Sequence, residues 1–95
     1  MRLQEDEKKA IKDSFISIFN SGNIYLFGSR VDDNLRGGDI DLYIDVQKSD
    51  DLNRKKIEFL IDLKSRIGDQ KIDVVISKDK TRIIEQEALT KGVVL

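Results

Sequence analysis

The chain contains no cysteine, no histidine, no proline and no tryptophan. The lack of cysteine excludes thiol catalysis, disulfides and thiolate metal sites. Without histidine, any general base has to be Asp, Glu, Lys or Tyr, and any metal has to sit on oxygen. Oxygen-only sites suit hard cations such as Mg²⁺, Mn²⁺ or Ca²⁺ rather than Zn²⁺ or Cu²⁺. Without proline, the turns fall to the six glycines and to Asn and Asp. No apolar run approaches the ~18 residues that cross a bilayer, and no signal-peptide pattern opens the chain, so a cytoplasmic protein without a membrane partner is expected. A net charge of −1, from 17 basic and 18 acidic residues, lacks the clustered basic face of a nucleic-acid binder.

What is present describes a globular protein. Of the 95 residues, 39% are hydrophobic and 37% charged, which is too apolar for disorder and sufficient for one modest core. Residues 1–95 are expected to form a single domain.

An opening helix is expected over Met1–Asn20, with Ala10, Ile11, Phe15, Ile18 and Phe19 recurring at helical spacing. Ile24–Phe27 is a short apolar run that reads as a buried strand, ended by Gly28-Ser29. Arg30–Gly38 is a polar loop or short helical turn, and Gly37-Gly38 permits a tight entry into the next strand. Ile40–Val46 alternates, with Ile40, Leu42, Ile44 and Val46 on one face and Asp39, Asp41, Tyr43 and Asp45 on the other.

Ser49-Asp50-Asp51 offers caps for a helix over Leu52–Ile67, with Leu60, Leu63 and Ile67 as its core stripe, widened by Ile57, Phe59 and Ile61. Ile72–Ile76 follows as a strand, with Asp73 facing away from Ile72, Val74 and Ile76. Strand, long helix, strand is a crossover unit, so these two strands should be parallel. Lys80–Thr90 reads as a last helix with Ile83, Ile84 and Ala88 inward, and Val93–Leu95 as a final edge strand. The class is α/β (α+β under a stricter naming), with a small mixed sheet and helices packed on one face.

Aspartate disfavours strands, yet three aspartates occupy one face of Asp39–Asp45. The Cα atoms of Asp39 and Asp41 should lie roughly 6.5–7 Å apart. That separation lets both carboxylates bridge two cations ~3.5–4 Å apart, the spacing of two-metal phosphoryl chemistry. A parallel crossover would bring Asp73 onto the same face. Two readings stay open for these three carboxylates, a cation site and a solvated acidic face. Asp45, about 13 Å further along, reads as solvated. Gly28-Ser29 lets backbone N–H groups approach a phosphate, with the serine hydroxyl adding a hydrogen bond. Arg30 beside it is either a phosphate contact or a solvated loop residue. No Walker-type P-loop occurs.

Taken together, Gly28-Ser29, nine intervening residues, Asp39-Ile40-Asp41 and the later Ile72-Asp73-Val74 resemble the nucleotidyltransferase superfamily of DNA polymerase beta. The pattern is most similar to the minimal nucleotidyltransferases, small proteins commonly partnered by an all-helical HEPN protein, and the ending KGVVL agrees. The resemblance implies that Asp39, Asp41 and Asp73 are catalytic and hold two Mg²⁺ ions, with Mn²⁺ as a substitute. It implies that Gly28, Ser29 and Arg30 bind ATP, the first two at its β- and γ-phosphates, and that Asp73 helps to deprotonate an incoming hydroxyl. AMP would be transferred to that hydroxyl, a tyrosine of a HEPN-type toxin, making the chain the antitoxin of a toxin–antitoxin pair.

The chain departs from many such relatives in one place. Val31-Asp32-Asp33 stands where they carry a small residue and a second arginine, which leaves Arg36 to replace the charge. Two rivals are a non-catalytic module that masks the same partner, and nucleotidyl transfer to a small molecule such as an aminoglycoside. A polymerase would need finger and thumb domains and a basic groove. The apolar end Val93–Leu95 suggests self- or partner association.

Overall fold

A computed structural model of the chain describes residues 3–32 and 38–95. The first helix, α1 (Glu5–Phe19), starts later than the opening pattern suggested, where the Gln4 N–H donates to the Glu7 carboxylate (3.2 Å). Glu5, Asp6 and Glu7 occupy its first turn, where the helix dipole favours negative charge. Asn20 ends it at a φ of +67°, a conformation that asparagine tolerates better than most residues. Strand β1 (Asn23–Phe27) runs into a 3-10 turn at Gly28–Val31. Then follow β2 (Ile40–Asp45), α2 (Leu52–Ile67), β3 (Ile72–Ile76), α3 (Ile83–Lys91) and β4 (Val93–Val94).

Among the described residues the strands form one mixed sheet in the order β3-β2-β1-β4. β1 pairs antiparallel with β2 and with β4, while β2 and β3 run parallel, as a crossover through α2 requires. The alternation of β2 decides the layers. Ile40, Leu42 and Ile44 are fully buried against Ile11, Phe15 and Phe19 of α1 and Phe59 and Leu63 of α2. The two helices are also tied by the buried Ser14 hydroxyl, which donates to Asp62 (2.6 Å). Arg66 completes that contact from the next turn of α2 (3.1 Å).

The α/β class with its mixed sheet is as expected, but the helices do not share one face. α3 lies on the other side, where Ala88 and Leu89 pack with Phe27, Tyr43, Tyr25 and Val75. Its inward residues are therefore Glu85, Ala88 and Leu89; Ile83 is 88% exposed and Ile84 38%. The physical reason lies just upstream, where Asp79 Oδ1 accepts both the N–H and the hydroxyl of Thr81 (2.9 and 2.7 Å). That turn delays the helix to Ile83 and orients it so that Glu85 points into the sheet.

On α2, Phe59 and Leu63 form the buried stripe, with Leu60 and Ile67 partly buried. Ile57 and Ile61 are exposed, because at 100° per residue they fall on the face opposite Phe59 and Leu63.

Candidate active site

The site begins where β1 ends. Phe27 is the register partner of Asp41, so Gly28 emerges directly beside the Asp41 side chain. Gly28 has a φ of +76°, and a Cβ built on it would collide with the Asp41 carboxylate. Both the backbone conformation and the space therefore demand glycine here. From Gly28 the 3-10 turn carries Ser29 and Arg30, and Asp32 N–H donates back to the Ser29 carbonyl (3.3 Å). Gly38, at a φ of +89°, lies so close that a Cβ on it would meet the Ser29 hydroxyl. Arg30 Nε makes a long hydrogen bond to the Gly38 carbonyl (3.5 Å). The turn thus touches Asp41 on one side and the entry to β2 on the other. Asp33, Arg36 and Gly37 lie outside the described residues, so the expected compensation by Arg36 does too.

Asp41 and Asp73 are direct partners across the parallel β2–β3 ladder and project from the same face. Neighbouring strands stand about 4.8 Å apart, so the two side chains share one patch of surface. The carboxyl of Asp41 is pushed above its ordinary value by partial burial first, then by the negative charges of Asp73 and Asp39. Lys71 opposes that shift and Glu87 adds to it. Asp39, just ahead of β2, pairs with Lys71 Nζ at 3.3 Å, and the Lys71 carbonyl accepts the Ile40 N–H (3.1 Å).

Among the described residues no three acidic side chains are gathered into a ready cage for one metal ion. The donor chemistry nonetheless fits a hard cation. The carboxylates are oxygen donors, and Asp41 is held in a surplus of negative charge that a divalent cation would relieve. Asp45, at the far end of β2, pairs with Lys80 (3.2 Å) rather than standing solvated, and it takes no part in the patch.

A cavity of about 410 Å³ opens beside the turn, lined by Gly28, Ser29, Val31, Asp32, Glu87 and Lys91. Two larger cavities, about 550 and 520 Å³, share Lys48, Ser77 and Lys78 at the opposite end of β2 and contain none of these residues. The smaller one adjoins the Gly28-Ser29 turn, and Asp39, Asp41 and Asp73 are not part of its lining.

Glu87, Lys91 and Lys71 were not singled out by the motif. A usable signal was present for the first two. A helix turned to bury both Ile83 and Ile84 would also have carried Glu87 and Lys91 inward, which two charges at helical spacing from them forbid.

The wall behind the site is fixed by a buried hydrogen-bond cluster. Tyr43, two residues along β2 from Asp41, is fully buried, and its hydroxyl donates to Glu85 Oε1 (2.7 Å). Glu85, also fully buried, accepts the N–H groups of Lys78 (3.1 Å) and Asp79 (2.8 Å), and Arg82 approaches at 3.4 Å. Burial is the strongest single influence on Glu85 and pushes its carboxyl up. The Asp79 N–H, the Tyr43 hydroxyl, the Lys78 N–H and Arg82 together outweigh it and hold the carboxyl below its ordinary value. Burial first, then the bond to Glu85, pushes the Tyr43 phenol well above its usual range. Through this cluster α3 is held across β2, with Glu87 within electrostatic reach of Asp41.

The family model described as Polymerase beta, Nucleotidyltransferase matches residues 9–95. The chain belongs to this nucleotidyltransferase family. No curated protein and no solved structure matches it. The matched stretch of the nucleotidyltransferase begins within α1 and runs through β4, so it takes in the glycine turn, the aspartate strand and the crossover that returns Asp73. Transfer of a nucleotidyl group is thereby supported as the general activity. Among the described residues no helix is long and apolar enough to cross a membrane.

Proposed function

We propose that this nucleotidyltransferase transfers AMP from ATP to a hydroxyl of a protein partner, a tyrosine of a HEPN-type toxin, and so acts as the antitoxin of the pair. The observation that carries the chemistry is the contact of Gly28 with the Asp41 carboxylate, which places a phosphate-sized turn directly against the paired carboxylates of β2 and β3. The minimal-nucleotidyltransferase resemblance of Gly28-Ser29, Asp39-Ile40-Asp41 and Asp73 supplies the partner class.

In this reading Gly28 and Ser29 bind the β- and γ-phosphates through backbone N–H and hydroxyl donors, with Arg30 alongside. Asp39, Asp41 and Asp73 would hold Mg²⁺, which when bound neutralises phosphate oxygens and the charge that develops on the leaving group. Asp73 accepts the proton of the incoming hydroxyl, whose oxygen forms a bond to the α-phosphorus. The bond from that phosphorus to the bridging oxygen breaks, and pyrophosphate leaves.

A second reading, a binding module that silences the partner by masking it, is favoured by one observation. The Asp39 carboxylate is already paired with Lys71.

Incubation with Mg²⁺, ATP labelled at the α-phosphate and a co-expressed helical partner separates the two. Label should appear on the partner with wild type and be lost with Asp39→Asn and Asp41→Asn. Unlabelled partner that wild type and both variants silence equally would establish masking and end the enzymatic reading.

A further inference from the structure

Among the described residues, the lining of the cavity beside the turn carries two carboxylates. Asp32 and Glu87 line the same cavity as Gly28 and Ser29, and Arg30 reaches toward the Gly38 carbonyl. Among the described residues one cation lines that cavity, and it comes from the other end of the chain. Lys91, the last residue of α3, is part of its lining.

Its position is set by backbone packing. The Gly92 N–H closes α3 on the Ala88 carbonyl (2.9 Å). A Cβ on Gly92 would run into that carbonyl and crowd the Leu26 carbonyl at 3.1 Å, so only glycine lets the helix end approach β1 this closely. Val93 then pairs with Leu26, two residues before Gly28. Lys91 is therefore pinned beside the place where the turn begins. Among the described residues it makes no ion pair, even though Glu87 lies one turn before it. A favourable helix dipole accounts for a basic residue in the last turn, but not for its place in the lining of this cavity.

We propose that Lys91 contacts the terminal phosphates of the nucleoside triphosphate bound at Gly28-Ser29, supplying positive charge from α3 to a cavity whose lining also carries Asp32 and Glu87. The inference rests on the nucleotidyltransferase reading of the site and adds a residue that lies outside its motif. Because Lys91 acts on the same phosphates as the turn, its contribution scales with the phosphates beyond the first. A residue that only stabilises the helix end would affect all nucleotides alike.

Equilibrium binding of ATP and AMP in Mg²⁺ to wild type, Lys91→Met and Lys91→Arg tests this, with Ser29→Ala as the control for the turn. Lys91→Met should weaken ATP about tenfold and AMP less than about twofold, as expected for loss of one charge-assisted contact, and Lys91→Arg should restore most of the difference. ATP binding that depends on Ser29 but not on Lys91 overturns the inference alone. Equal weakening of ATP and AMP by Lys91→Met overturns it as well and returns Lys91 to a structural role. A wild type that does not prefer ATP over AMP removes the nucleotide site itself, and this inference with it.

Discussion

The two ends of β2 carry the same residue on the same face, and they differ in almost everything else. At one end Asp41 faces Asp73 across the sheet, has Asp39 and Glu87 nearby and fills the space a Gly28 Cβ would need. At the other end Asp45 lies opposite Asn23 and pairs with Lys80. Between them Tyr43 is sealed beneath α3. The alternation of one strand cannot distinguish the two aspartates. What separates them is the neighbouring strand, which contributes a second carboxylate at one end and leads into a lysine-bearing loop at the other. An acidic strand face becomes a site only where its neighbours leave the charge uncompensated.

The strongest test of this contrast removes what holds the two ends apart. Glu85→Ala would leave Arg82, the Tyr43 hydroxyl and two backbone N–H groups without their common partner, and should cost about 3–5 kcal/mol. Urea unfolding measures it. The wild-type contribution has a defined pH window. Because the Glu85 carboxyl is held below its ordinary value, its stabilisation is fully present above the unfolded-state pKa and lost as pH falls through the folded-state value. Glu85→Gln should flatten that acid-side slope.

Next in size is Gly28→Val, which places a β-branched side chain at positive φ and against the Asp41 carboxylate. It should destabilise by about 1–3 kcal/mol from backbone strain and abolish label transfer, whereas Ser77→Val at the other end of the sheet should leave transfer intact. Transfer by Gly28→Val at wild-type rate would mean that the turn does not form part of the site.

The smallest effect has the sharpest sign. Asp41 is raised, so its contribution to stability is fully present below the unfolded-state pKa and lost as pH rises through the folded-state value. At neutral pH its charge is a liability, and Asp41→Asn should shift the thermal midpoint upward while ending transfer. Asp45→Asn should shift it slightly downward, by the ~0–1 kcal/mol of a partly exposed ion pair with Lys80. The Asp41→Asn difference should vanish in acid, where wild-type Asp41 is protonated. Shifts of the same sign at neutral pH would erase the distinction between the two ends.

Much of the site was legible because it depends on period and connection. The two-residue period of β2 assigned Asp41 to the face opposite Ile40 and Leu42, and the long helix after it required a parallel return, which brought Asp73 alongside. α3 departs from its pattern in part. Ala88 is buried as its spacing implies, but Ile83 and Ile84, which read as core because they are apolar, are exposed. The buried side is set by Glu85, a carboxylate whose partners lie on β2 and in the loop before the helix. No local pattern announces that a glutamate will be satisfied by hydrogen bonds from distant residues. Ile57 and Ile61 read as a widening of the core stripe, yet helical geometry places them opposite Phe59 and Leu63. Lys71 reaches Asp39, and Lys91 reaches the cavity beside the turn, only through strand register and a close approach at Gly92.

The contact between Gly28 and Asp41 also has an evolutionary consequence. Any side chain at Gly28 evicts the Asp41 carboxylate, and the substitutions at Asp41 that would make room for it delete a negative charge from the aspartate patch. No substitution at Asp41 restores both, so a lineage that lost this glycine without regaining it would be free to lose its aspartates in turn. Descendants of such a lineage should keep the fold and the apolar face of β2 while their site decays as a unit, leaving a binding scaffold where a transferase had been.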